Sequence, residues 1–153
     1  MRTEVYAHPV SFRTDPAGQA ARLAGTGVDR VRLAFAYHSG RWLLSTSAPA
    51  SVADLDGGLW FAPVPPLRGR LRPAVVADLA GDAATALRAV GIEVSAWLVG
   101  LHQSALATAH PDLALRNAFD HRYRHALCPS RAEVVDHAVA LVSGASSPIL
   151  PSS

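Results

Sequence analysis

Seven histidines punctuate this chain of 153 residues, and three occupy matching places: His8 in VYAHP, His38 in AYHSG and His102 in GLHQS each close a short β-prone stretch. Imidazoles there can bind a metal, move a proton or hydrogen-bond a polar ligand. A metal site would need all three rings within reach of one ion, and none stands in a tight spacing such as H-x-H or H-E-x-x-H. Hydrogen bonding to a ligand, or to loop backbone, demands less. Tyr37, Trp42, Trp60, Gln103 and Asn117 belong to the same strand ends and the loops that follow them. Flat rings beside amides and imidazoles are the combination that grips a sugar or another polyol. Core packing competes for each ring: Trp97, inside a strand, reads as core, whereas Trp42 and Trp60 lie in a long loop where either role fits.

Glycoside hydrolysis would need two carboxyl groups flanking the scissile bond. The loops offer Asp54, Asp56, Asp112 and Asp120. Asp54 and Asp56 neighbour Gly57-Gly58 and read as turn residues, and Asp112 follows a proline as a cap would. No strand ends in a carboxylate, so a complete acid/base pair is not expected and no catalytic residue is assigned. The stretch AHPDLALRNAFDHRYRHALCPS, residues 109–130, reads as a ligand-facing loop with Asn117 and His125 as its candidates. Arg122 and Arg124 there read as a solvated face, and Cys128 as a small residue at a loop-to-helix junction.

Composition narrows the field. All 14 basic residues are arginine, which removes a Schiff-base lysine and a phosphate-loop lysine together. They are scattered, and the net charge is only +2, so a nucleic-acid footprint is not expected. The single cysteine makes no internal disulfide. MRTEVYAHPVSFRTDPAG has no apolar leader, and no run approaches the ~18 residues of a membrane span. The expectation is a cytoplasmic protein without membrane contact, metal or cofactor.

The elements that must position these residues alternate. TEVYAHP is a strand, and DPAGQAARLAGTG its helix, with Asp15 as N-cap, Pro16 in the first turn and Gly25 or Gly27 as the stop. DRVRLAFAYHSG is a second strand. Val76, Leu79, Ala83, Ala86, Leu87 and Val90 recur at helical spacing. IEVSAWLVGL is a third strand, and SRAEVVDHAVALV a helix opened by a capping box from Ser130 and Glu133. The order βαβαβα predicts an α/β fold with a parallel sheet, spanning residues 1–142, and SGASSPILPSS, 143–153, reads as a disordered tail. Residues 39–74 and 102–129 are two long connections at the strands' C-terminal edge, where α/β folds bind ligands. Strand alternation places Glu4, Arg32 and Glu93 in an ion-pair cluster at the other edge, and turns His102 to the helix side unless a bulge near Gly100 redirects it.

The succession FAYHSGRWLL, GGLWFAPVP, GIEVSAWLVGLHQS and AHPDLALRNAFDHRYRHALCPS, followed by a capped helix, resembles the N-terminal part of uncharacterised bacterial (β/α)8-barrel proteins of glycoside-hydrolase-like type. The resemblance covers roughly residues 2–142 and implies a partial TIM barrel, about three of eight βα units, whose upper face takes a carbohydrate or polyol. The candidate contacts on that face, read from the strand ends and loops, are His8, Tyr37, His38, Trp42, Trp60, His102, Gln103, Asn117 and His125. Such a fragment would have little activity alone, and its open edge invites self-association or completion by another chain. Two alternatives stand beside it: a metal-dependent barrel hydrolase using His8, His38 and His102, and a non-enzymatic α/β binding or assembly module.

Overall fold

A computed structural model describes residues 2–44 and 49–146. In chain order it contains β1 (Glu4–Ala7), a 3-10 turn (Pro9–Phe12), α1 (Pro16–Ala24) and β2 (Arg30–Tyr37). The first long connection holds β3 (Gly40–Leu44), β4 (Ser51–Leu55) and the two-residue β5 (Gly58–Leu59), and leads to α2 (Ala80–Ala89). β6 (Glu93–Leu98), α3 (Ser104–Ala109), β7 (Ala114–Arg116), β8 (Arg122–Leu127) and α4 (Ala132–Ser146) complete the chain.

β2 is the centre. β1 pairs with it in parallel from Glu4–Arg30 to Ala7–Leu33, and β6 lies parallel on its other side from Arg30–Glu93 onward. Each preceding helix is built to return the chain to this sheet. Asp15 accepts the Gly18 amide at 2.9 Å and Pro16 stands in the first turn of α1, satisfying a donor that the helix start leaves free. Gly25 ends it and Gly27 turns back at φ 77°, a left-handed value that glycine adopts without a Cβ clash. Small residues let α2 approach closely: Ala80, Ala83, Ala84 and Leu87 are fully buried against Val31, Leu33, Phe35 and Val94.

The opposite face of the sheet carries Glu4, Tyr6, Arg32, Ser95 and Trp97, and Tyr6 is 59% exposed. At its lower edge Arg32 bonds Glu4, while Arg30 bonds Glu93 at 2.6 Å. The cluster expected from Glu4, Arg32 and Glu93 therefore forms, joined by Arg30 and by Arg2. The guanidinium of Arg30, bonded to Glu93, is the main cause holding that carboxyl below its usual range.

Several boundaries differ from the sequence reading. The two long connections are not plain loops: β3 and β4 form an antiparallel hairpin, β5 adds antiparallel to the top of β2, and β7 and β8 form a second hairpin. Their turn-rich composition masked short strands that are stabilised by pairing rather than by propensity. Val76 and Leu79 precede α2 instead of opening it. Of the expected tail, residues 147–153 lie outside the described residues, and residues 143–146 belong to α4, which continues to Ser146 with Gly144 and Ala145 buried. Gly144 permits this by close packing: a Cβ there would lie 3.1 Å from the Pro63 side chain. At the start of α4, Glu133 reaches Arg70 at 3.2 Å and Ser130 meets the Cys128 sulfur at 3.0 Å, so both side chains have partners other than a capping box.

Candidate ligand-binding face and cleft

The open face acquires its character from one irregularity in β2. Ala34 lies opposite Trp97 and Ala36 opposite Leu98, so Phe35 is an extra residue in the strand. Such a bulge reverses the facing of everything beyond it. Phe35 and Ala36 both enter the helix-side core, and Tyr37 is delivered to the open side, 4.8 Å from the Trp97 ring.

From there rings touch in series. Tyr6 meets Trp97 at 4.9 Å; Tyr37 stacks on His38 at 4.2 Å, His38 on His102 at 4.8 Å. His102 meets His125 at 5.1 Å and His125 meets Tyr123 at 5.7 Å. The row crosses from the sheet to the β7–β8 hairpin. His102 reaches it without a bulge at Gly100: after β6 ends, its backbone bridges Ala126, with Gln103 N–H donating to His125 O at 3.0 Å. Partial burial, then the neighbouring His38 and His125, lowers the His102 pKa and favours the neutral ring.

His8, Trp42 and Trp60 form a second group that meets the row at Tyr37. His8 is fully buried, 4.5 Å from Trp60, 5.0 Å from Trp42 and 5.4 Å from Tyr37. Its Nδ1 accepts the Val10 amide at 3.3 Å, which leaves the proton of the neutral ring on Nε2. Burial pushes its pKa down to about 4. Trp42 donates its indole N–H to Ser11 at 3.2 Å, and Trp60 is 3% exposed. Among the described residues no group of three His, Cys, Asp or Glu side chains is disposed to hold a metal; His38 and His102 stack on each other, and His8 packs instead against Tyr37, Trp42 and Trp60.

Beside the ring row opens a cleft of about 560 Å³ lined by His38, Ser39, Asp56, Gln103 and Ser104. Two glycines make it possible. A Cβ on Gly57 would lie 2.8 Å from the Ser39 nitrogen, and one on Gly58 2.4 Å from the Ala74 oxygen, so only glycine lets this segment lie against both neighbours. Gln103, 3% exposed, donates to Val99 O at 3.0 Å.

The four loop carboxylates divide here. Asp54 pairs with Arg41 at 2.8 Å, Asp112 with Arg70 at 3.1 Å and Asp120 with Arg116 at 2.8 Å. Asp56 lines the cleft and has no such arginine among the described residues. Read from sequence as a turn residue, it is the carboxylate nearest the candidate site. Asn117 serves its own turn: its side-chain oxygen accepts from Phe119 N and His121 N at 3.0 and 2.9 Å. Trp97, read as core, joins the open row instead; its shared parity with Glu93 and Ser95 was the available signal. Cys128, half-buried, has its thiol pKa lowered chiefly by its bond to Ser130.

No protein-family model matches the chain, and no curated protein matches it in sequence. Among solved structures it is similar to a noncanonic maltogenic alpha-amylase, AmyB, from Thermotoga neapolitana, with a TM-score of 0.51 and 14% identity. The likeness covers 92% of this chain and 35% of that one. At this identity it is a likeness of fold alone, a parallel sheet with helices. No helix among the described residues is long and apolar enough to cross a membrane.

Proposed function

We propose that this chain is the opening part of a glycoside-hydrolase-like barrel, about three of eight βα units, and that its ring-lined face holds a carbohydrate or polyol. The observation that carries the reading is the unbroken row from Tyr6 through Trp97, Tyr37, His38 and His102 to His125, beside a cleft at the strands' C-terminal ends. Aromatic faces pack on the apolar face of a sugar ring while imidazoles and amides take its hydroxyls. The fold likeness to a maltogenic alpha-amylase supports the same ligand class. Three of the four loop carboxylates are neutralised by arginine, so binding with little turnover is the expected behaviour of the isolated chain.

Titration with malto-oligosaccharides, followed by tryptophan fluorescence and calorimetry, tests it. Saturable binding weakened about tenfold by Trp97→Ala, the loss of one ring contact worth about 1.4 kcal/mol, is the expected result. Absence of heat and fluorescence change with malto-oligosaccharides and with a wider panel of neutral sugars overturns it. The reading also expects the open sheet to be completed by further chain or by self-association, which light scattering of the purified protein measures.

A further inference from the structure

The cleft has a polarity of its own, and it bears on which sugars the proposed site accepts. His38 Nδ1 lies 2.8 Å from the Ser39 carbonyl oxygen. A carbonyl only accepts, so Nδ1 carries the proton and the neutral ring keeps a lone pair at Nε2. Gln103 donates one of its two side-chain N–H groups to the Val99 carbonyl, which leaves its amide oxygen as an acceptor beside one remaining N–H. Asp56, ionised, can only accept. Ser39 and Ser104 supply the hydroxyl donors of the lining, and no arginine lines the cleft. Gly57, packed against the backbone of His38 and Ser39, holds the segment that places Asp56 in the same cleft lining as His38.

We propose that Asp56 makes this cleft selective for sugars that donate, accepting hydroxyl hydrogens of a neutral sugar and repelling one that carries a carboxylate or phosphate. The inference rests on the carbohydrate reading above and adds a residue and a charge rule to it. An unpaired carboxylate in a lining without a permanent cation disfavours an anionic ligand by direct Coulomb repulsion. It favours an ammonium group in the same place.

Ligand-observed NMR with glucose, glucosamine, glucuronate and glucose 6-phosphate, at one pH and ionic strength, separates the cases. Expected are binding of glucose, tighter binding of glucosamine, and binding of both anionic sugars weaker by about tenfold. In Asp56→Asn, and in Asp56→Ser as a second variant, the glucosamine advantage disappears and glucuronate approaches glucose. Asp56 is exposed, and matched circular dichroism spectra establish that the variants are folded. Equal binding of neutral and anionic sugars by the unaltered protein, or an unchanged preference in both variants, overturns the charge rule and leaves carbohydrate binding standing. Failure of all four sugars to bind overturns the charge rule, and failure of malto-oligosaccharides as well removes the carbohydrate reading with it.

Discussion

His8 is held neutral by its surroundings, with a pKa near 4 caused by burial among Tyr37, Trp42 and Trp60. An unfolded histidine takes up its proton near pH 6.5. Between these values the unfolded chain binds more protons than the folded one, so stability is complete above about pH 6.5 and falls as the solution is acidified towards 4. The expected loss between pH 7.5 and 4.5 is about 2 to 3 kcal/mol from this residue, with His102 and His137, also lowered by burial, acting in the same direction. Urea midpoints at the two pH values measure it, and His8→Asn is expected to flatten most of the decline. A variant with an undiminished decline would show that His8 is not the group responsible. Of the residues picked from sequence, Tyr37, His38, His102 and His125 meet in one row. His8 and Trp60 are buried instead, and His8 touches the row through Tyr37. Residue type alone does not separate these cases, because a buried and an exposed imidazole look the same in a sequence.

At the scale of the element, small local devices decide what the chain presents. The Asp15 cap on α1 was legible because a cap acts within four residues; Asp15→Ala is expected to cost about 1 kcal/mol in chemical denaturation. Glycines divide by environment. Gly58→Ala puts a Cβ 2.4 Å from the Ala74 oxygen, and displacement of β5 should cost about 2 kcal/mol or more. Gly81→Ala, with nothing within 4 Å of the new Cβ in α2, should instead stabilise by about 0.4–1 kcal/mol. Opposite signs in paired melts check both. The bulge at Phe35 escaped the sequence reading because alternation assumes regular pairing, and register is a relation between β2 and β6 rather than a property of either.

For the molecule as a whole, stability is unevenly distributed. β2 is paired on both sides, and Val31, Leu33, Ala34, Phe35 and Ala36 are all fully buried. Among the described residues the β3–β4 hairpin is a two-stranded sheet of its own, and it leaves Leu43 and Val52 more than 60% exposed. Native-state hydrogen exchange should therefore find the slowest amides in β2, opening only with global unfolding, and much faster exchange in the hairpin by local opening. Equal protection of the two would contradict this hierarchy. Leu87→Ala, emptying the main core under α2, should cost 2–5 kcal/mol, read as a lowered denaturant midpoint.

Three parallel strands, their helices and the lower ion-pair cluster were readable from residue order, since hydrophobic period, caps and strand parity are short-range signals. The hairpins in the long connections were not, because strands such as Gly58–Leu59 exist only through their partners. Asp54, Asp56, Asp112 and Asp120 were indistinguishable as loop aspartates. Folding separated them, for Arg41, Arg70 and Arg116 reach three and leave Asp56 in the cleft. Pairing of charges depends on distances in space: Arg41 and Asp54 face each other across the β3–β4 hairpin, Arg116 and Asp120 meet at the β7–β8 turn, and Arg70 reaches Asp112 from 42 residues away.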